Sequence, residues 1–102
     1  DRGLAAARYA ADLAPDAPQI RDMLGWMYFL AGDSSQAQLH LESALQLNPE
    51  LASTYYHLGV LRKALGEDEA AQFAFLRAID LDTDGFYRSQ AQKALREMSQ
   101  VR

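Results

Sequence analysis

The 102-residue chain is 49% apolar and 24% charged, carries ten Lys plus Arg against 14 Asp plus Glu, and has no cysteine. These proportions suit a small folded domain that buries roughly two thirds of its unfolded surface, and they exclude a disordered segment, a disulfide scaffold and a thiolate metal site. The net charge of −4 leaves no basic stripe for nucleic-acid phosphates, and no run approaches the roughly 18 consecutive apolar residues of a membrane span.

The chain opens on Asp1-Arg2-Gly3, with neither a methionine nor a signal-peptide pattern, and reads as an excised piece of a longer protein. Its first segment predicts a helix with Leu4, Ala7, Ala10, Ala11 and Leu13 on the apolar side. A second helix is predicted over 18–31, where Leu24, Met27, Tyr28 and Ala31 share a stripe. Gly32-Asp33-Ser34 then supplies a stop followed by an N-cap. The third helix, about 35–47, turns Ala37, Leu41, Ala44, Leu45 and Leu47 toward a neighbour, and Asn48-Pro49 closes it because proline biases its predecessor away from helical angles. The plan repeats with helices near 52–65 and 68–81 on either side of Gly66. A last helix, about 85–101, places Tyr87, Ala91, Ala94, Leu95 and Met98 on one stripe and Arg88, Gln92, Lys93 and Arg96 on the rest. Short connections between the helices give antiparallel hairpins.

Behind this alternation lies a fixed period. Leu24-Gly25 recurs 34 residues on as Leu58-Gly59, Gly32 as Gly66, Ala37 as Ala71, Ala44 as Ala78 and Leu47 as Leu81. The register also runs backwards from Ala44, Leu47 and Pro49 to Ala10, Leu13 and Pro15. The small residues sit where helices cross, and overpacking there costs about 1–3 kcal/mol. No Gly-Lys-Ser/Thr follows the glycines, so they are scaffold and not a phosphate loop.

This period and pattern resemble the tetratricopeptide repeat family. The first copy carries Leu24-Gly25, Tyr28, Gly32, Ala37, Leu41, Ala44 and Pro49, with Arg21 where the family usually has Trp. The second carries Tyr55, Leu58-Gly59, Gly66, Ala71, Phe75 and Ala78, with Arg62 for the usual Tyr and Thr83 for the usual Pro. The resemblance implies an all-α fold, an α-solenoid of antiparallel helix hairpins wound as a right-handed superhelix. It divides the chain into the second helix of a truncated preceding repeat (1–17), two repeats (18–51 and 52–85) and a C-terminal capping helix (86–102), its apolar phase slipped by one residue. The first helix, without its hairpin partner, leaves apolar surface for another copy of the chain, so self-association through that end is a further expectation.

The resemblance also implies a concave groove lined by the first helix of each repeat. It places Gln19, Asp22, Trp26 and Phe29 there from the first repeat, and Ser53, Tyr56, Val60 and Lys63 from the second. Each set lies on one helical face. Trp26 and Phe29 are large aromatics where a solvated face favours Lys, Glu or Gln, and with Tyr56 they suit anchors for a peptide or protein, oriented by Asp22 or Lys63. The other reading makes Trp26 and Phe29 core, packed on an upstream repeat or on each other. On the groove reading, Trp26→Ala or Tyr56→Ala weakens binding and leaves melting nearly unchanged. Family members that clamp the carboxylates of chaperone tails use Lys, Asn and Arg at groove positions. Asp22, Trp26 and His57 stand at the equivalent places, so that clamp is absent.

His40 and His57 have no paired ligand at metal spacing, and Asp80, Asp82 and Asp84 lack the glycine and closing Glu of a calcium loop, which leaves them helix-end and turn chemistry. No nucleophile, base or paired-carboxylate set converges. The expectation is a non-enzymatic interaction module of a larger protein, with no cofactor or metal, a protein or peptide partner, and neither nucleic acid nor membrane insertion. The alternative is a structural spacer or self-association element, for which polar changes at Leu4 or Ala7 disrupt assembly. Absence of cysteine fits any redox environment, so no compartment is assigned.

Overall fold

The computed structural model describes residues 2–83 and 85–100. Among them are six α-helices and no strand, in two compact units, residues 1–51 and 52–102. The first unit holds α1 (Arg2–Leu13), α2 (Pro18–Leu30) and α3 (Ser34–Leu47). The second holds α4 (Ala52–Ala64), α5 (Asp68–Leu81) and α6 (Phe86–Gln100).

Helix ends follow the punctuation of the sequence. Pro18 opens α2 at a position where its missing N–H is not needed, and the Ala17 carbonyl accepts from the Ile20 and Arg21 amides. Gly32 ends α2 with φ 87°. Its amide donates to the Phe29 carbonyl at 3.0 Å while the Asp33 amide donates to that of Tyr28 at 2.9 Å, the paired bonds of a Schellman stop. Gly66 repeats the geometry at φ 79°, with Gly66 donating to Lys63 and Glu67 to Arg62. Asp33 then caps α3 by accepting from the Gln36 amide at 3.1 Å. Asn48 leaves α3 in extended geometry, φ −147°, as its following proline requires.

A side chain added at Gly32 or Gly66 would meet nothing within 4 Å, so its cost is purely that of the left-handed backbone. Gly32→Ala and Gly66→Ala are each expected to destabilise by about 1–2 kcal/mol, with Asn recovering part of the loss. Urea melts of the four single variants check this.

Within each unit the small residues of the repeat let helices touch. At Gly25 a Cβ would lie 2.7 Å from Leu41 Cγ and 3.1 Å from the Ala37 carbonyl oxygen. At Gly59 it would lie 2.5 Å from Phe75 Cε1. Leu41 and Phe75 occupy the same place in the period, and both are 0% exposed. In the first unit Ala7, Ala11 and Leu24 form a buried cluster with Leu4, Ile20, Met27 and Tyr28 around it. In the second, Ala71, Phe75, Ala78 and Ala91 are surrounded by Tyr55, Tyr56, Val60, Ile79, Ala94, Leu95 and Met98.

Three apolar assignments change. Leu13 is 69% exposed because it projects from the far side of α1 from Ala7 and Ala11. Leu47 is also exposed, at the last turn of α3, and Ala31 lies beyond the end of α2, exposed. Leu4 is half-buried and Ala7 buried, so polar changes there would disturb the packing of α1 on Leu24 before they disturbed any assembly.

A reciprocal clasp joins α5 to α6. The Asp82 carboxylate accepts from the Tyr87 and Arg88 amides at 2.9 and 3.2 Å, serving the first turn of α6, while Arg88 Nη1 donates to the Ile79 carbonyl at 3.0 Å near the end of α5. A Cβ at Gly85 would collide with the Asp82 carboxylate. Asp82 therefore has the turn role expected of the Asp80 to Asp84 run, and Asp84 lies outside the described residues.

Candidate protein-interaction faces

On α2, Gln19 is exposed and Trp26 and Phe29 are half-buried. The two rings stack on each other with centroids 5.2 Å apart and an interplanar angle of 25°, an offset pair worth about 0.5–1.5 kcal/mol beyond area burial. Asp22 differs from the rest of its stripe. It is 5% exposed, so it cannot steer a ligand as a solvated surface charge. It stands in the middle of α2, one turn before the buried Gly25. The Trp26–Phe29 pair is the part of the predicted α2 set that combines apolar area with access to solvent.

On α4, Lys63 is exposed while Ser53, Tyr56 and Val60 are half-buried. Tyr56 and Val60 also pack on the Phe75 cluster. The Tyr56 ring lies 5.9 Å from Phe75, 5.9 Å from Tyr87 and 5.8 Å from His57, and His57 meets Tyr87 edge-on at 6.0 Å. Burial, with the nearby Glu97 charge adding to it, raises the Tyr56 phenol above its ordinary value. Tyr56→Ala would therefore disturb the core as well as the surface, contrary to the expectation of unchanged melting. Tyr87 was assigned to the packing stripe of the last helix. Its number is two periods beyond Gln19 and one beyond Ser53, so the repeat register itself marks it as a member of this face.

A second polar group sits on the α2–α3 hairpin. Arg21 Nη1 meets His40 Nδ1 at 3.2 Å, Arg21 Nε donates to the Pro15 carbonyl at 3.2 Å, and His40 stacks on Tyr28 at 5.4 Å and 5°. Because arginine only donates, His40 accepts through Nδ1 and is neutral in this arrangement. Burial first, and the Arg21 charge second, hold its pKa below the ordinary 6.5. The unfolded chain therefore binds a proton at His40 sooner than the folded one as pH falls, so stability drops from pH 6.5 toward the lowered folded value. His40→Gln should flatten that part of a melting-temperature curve measured between pH 7.5 and 5. In the second repeat the corresponding first-helix position is Tyr55, covered by the Arg77 guanidinium at 5.3 Å.

Among the described residues no group of three or more His, Cys, Asp or Glu is placed to hold a metal ion, and no helix is long and apolar enough to cross a membrane.

Paired helices repeating with a 34-residue period, each first helix presenting aromatic residues, define a helical-repeat protein of the protein-binding class. The family model for the tetratricopeptide repeat matches residues 18–51 and 52–84, and the chain belongs to the tetratricopeptide repeat family. Among solved structures it is similar to the first TPR of Spaghetti (RPAP3) bound to the HSP90 peptide SRMEEVD, with 25% identity over 95% of this chain and 75% of that one and a TM-score of 0.81. Comparison with curated proteins gives no match.

Proposed function

We propose that this chain is a non-enzymatic protein-interaction module whose α2 face takes a peptide or protein segment, with the Trp26–Phe29 stack as anchor. The observation that carries the reading is that stack, a half-buried aromatic pair at 5.2 Å on a helix face, since solvent-accessible aromatic area on a helix face suits an interface. The peptide held by the RPAP3 domain supports a peptide as the kind of ligand. Its acidic sequence does not transfer, because Asp22, Trp26 and His57 stand where a carboxylate clamp would have Lys, Asn or Arg. The ligand we propose carries an apolar or aromatic side chain that packs on the two rings. A random-peptide display selection on the immobilised protein tests this. Enriched peptides should bind wild type and lose affinity for Trp26→Ala, and equal binding to both would remove the site assignment.

Self-association has its own observation, Tyr9 at 66% and Leu13 at 69% exposure on α1. On that reading Tyr9→Glu and Leu13→Glu, not changes at Leu4 or Ala7, dissociate an assembly seen by sedimentation.

A further inference from the structure

The outward face of α5 carries a surface that neither the repeat pattern nor helix stability explains. Phe73 is 61% exposed and Leu76 54%, and exposed Glu69 and Asp80 stand at either end of them. The spacing of four, three and four residues puts all four on one stripe about 16 Å long. One period earlier the same positions are Ser35, Leu39, Glu42 and Gln46, so the period supplies a single apolar residue here and no acidic bracket.

Two components run against what a solvated helix face favours. A phenylalanine and a leucine one turn apart leave apolar area in water. Glu69 suits the first turn of α5, but Asp80 lies in its last turn, where the helix dipole disfavours an anion. Arg77, the one cation of α5, is turned onto the Tyr55 ring and does not neutralise the stripe. Glu67 and Asp68, both exposed, extend the negative charge beyond Glu69.

From this pattern we infer that the outer face of α5 docks a basic amphipathic helix of a partner protein. The partner's apolar pair packs on Phe73 and Leu76, and its Lys or Arg residues, about three turns apart, face Glu69 and Asp80. Charge complementarity selects this occupant. The acidic bracket repels anionic lipid surfaces and nucleic-acid phosphates, and it penalises an apolar helix that brings no cations. The surface lies on a different helix from the Trp26–Phe29 face and does not depend on it.

The probe is a synthetic, fluorescently labelled helical peptide with two central leucines and lysines eleven residues apart, compared with a counterpart bearing glutamates in place of the lysines. Because all four positions are exposed, Phe73→Ser/Leu76→Ser and Glu69→Lys/Asp80→Lys are expected to fold, and far-UV melts verify that they do. The lysine peptide should bind wild type, weaken as salt rises, and lose at least tenfold in affinity for either double variant. The charge-reversed variant should instead prefer the glutamate peptide, and Trp26→Ala should change nothing. The proposal is overturned if the lysine peptide fails to bind, if both peptides bind wild type equally, or if the double variants keep the affinity. Loss of binding in Trp26→Ala overturns it by moving the peptide to α2. Phosphatidylserine vesicles that bind through Phe73 and Leu76, or a dimer of the unliganded chain that depends on them, overturn it by naming a different occupant.

Discussion

Phe75→Ala is expected to lower stability by about 3–5 kcal/mol, the largest effect of any single truncation in the second unit. The ring is 0% exposed and fills the hollow left by Gly59, where even a methyl group would sit 2.5 Å from its edge. It supports Tyr56 on one side and belongs to the cluster that holds Ala91 of α6. Removing it leaves a cavity bordered by α4, α5 and α6, and a small domain with 5–15 kcal/mol in total has little left to offset the loss. Phe75→Leu reproduces the Gly25–Leu41 pairing of the first unit and should cost only about 1–2 kcal/mol, since volume-tolerant swaps in a core are milder. Gly59→Ala should destabilise by about 1–3 kcal/mol through overpacking, and less so in the Phe75→Leu background, where the ring is gone. Urea unfolding followed by circular dichroism measures all four. A loss under about 1 kcal/mol for Phe75→Ala would mean that the ring is not the plug of this unit.

Trp26→Ala is expected to weaken peptide binding by about 2 kcal/mol, roughly thirtyfold, while costing only about 1 kcal/mol of stability. The second figure follows from the geometry. Trp26 is half-buried and loses its stack on Phe29, a contact worth about 0.5–1.5 kcal/mol, whereas Phe75 is fully buried. Phe29→Ala should act in the same direction and less strongly, because its role is to hold the indole. The two effects should not add, since each ring orders the other. A calorimetric titration with a display-selected peptide measures the affinities. If Trp26→Ala unfolds the chain, the indole is core and the anchor assignment fails.

The parts of the fold that rest on backbone geometry were open to reading from the residues. Gly32 and Gly66 must adopt positive φ, Asn48 must leave helical space before Pro49, and Gly25 and Gly59 must admit a neighbouring side chain. Requirements of this kind leave a spacing in the sequence. Tertiary partnerships leave none. Nothing at Asp82 indicates that its carboxylate reaches past Gly85 to the amides of Tyr87 and Arg88, and nothing at Arg21 points to His40.

The site was legible to the same extent and for the same reason. Helical spacing placed Trp26 and Phe29 on one face, and they stack. It also placed Asp22 there, and Asp22 is buried, because helical spacing gives the face a residue shares and not how much of that face its neighbours cover. Tyr87 shows a different gap. The apolar phase of the last helix suggested a slipped register, while counting in the original period keeps Tyr87 in line with Gln19 and Ser53, beside Tyr56. The buried residue of α6, Ala91, nevertheless lies one before the place of Leu24 and Leu58 in the period, so register and apolar phase each describe part of this helix.

Trp26 is the chain's single tryptophan, so its fluorescence reports on the proposed anchor without interference. Acrylamide quenching should find the indole accessible in the free protein and protected when a display-selected peptide is added at saturation. An indole quenched to the same extent with and without bound peptide would contradict the account, because the ligand would then be held elsewhere.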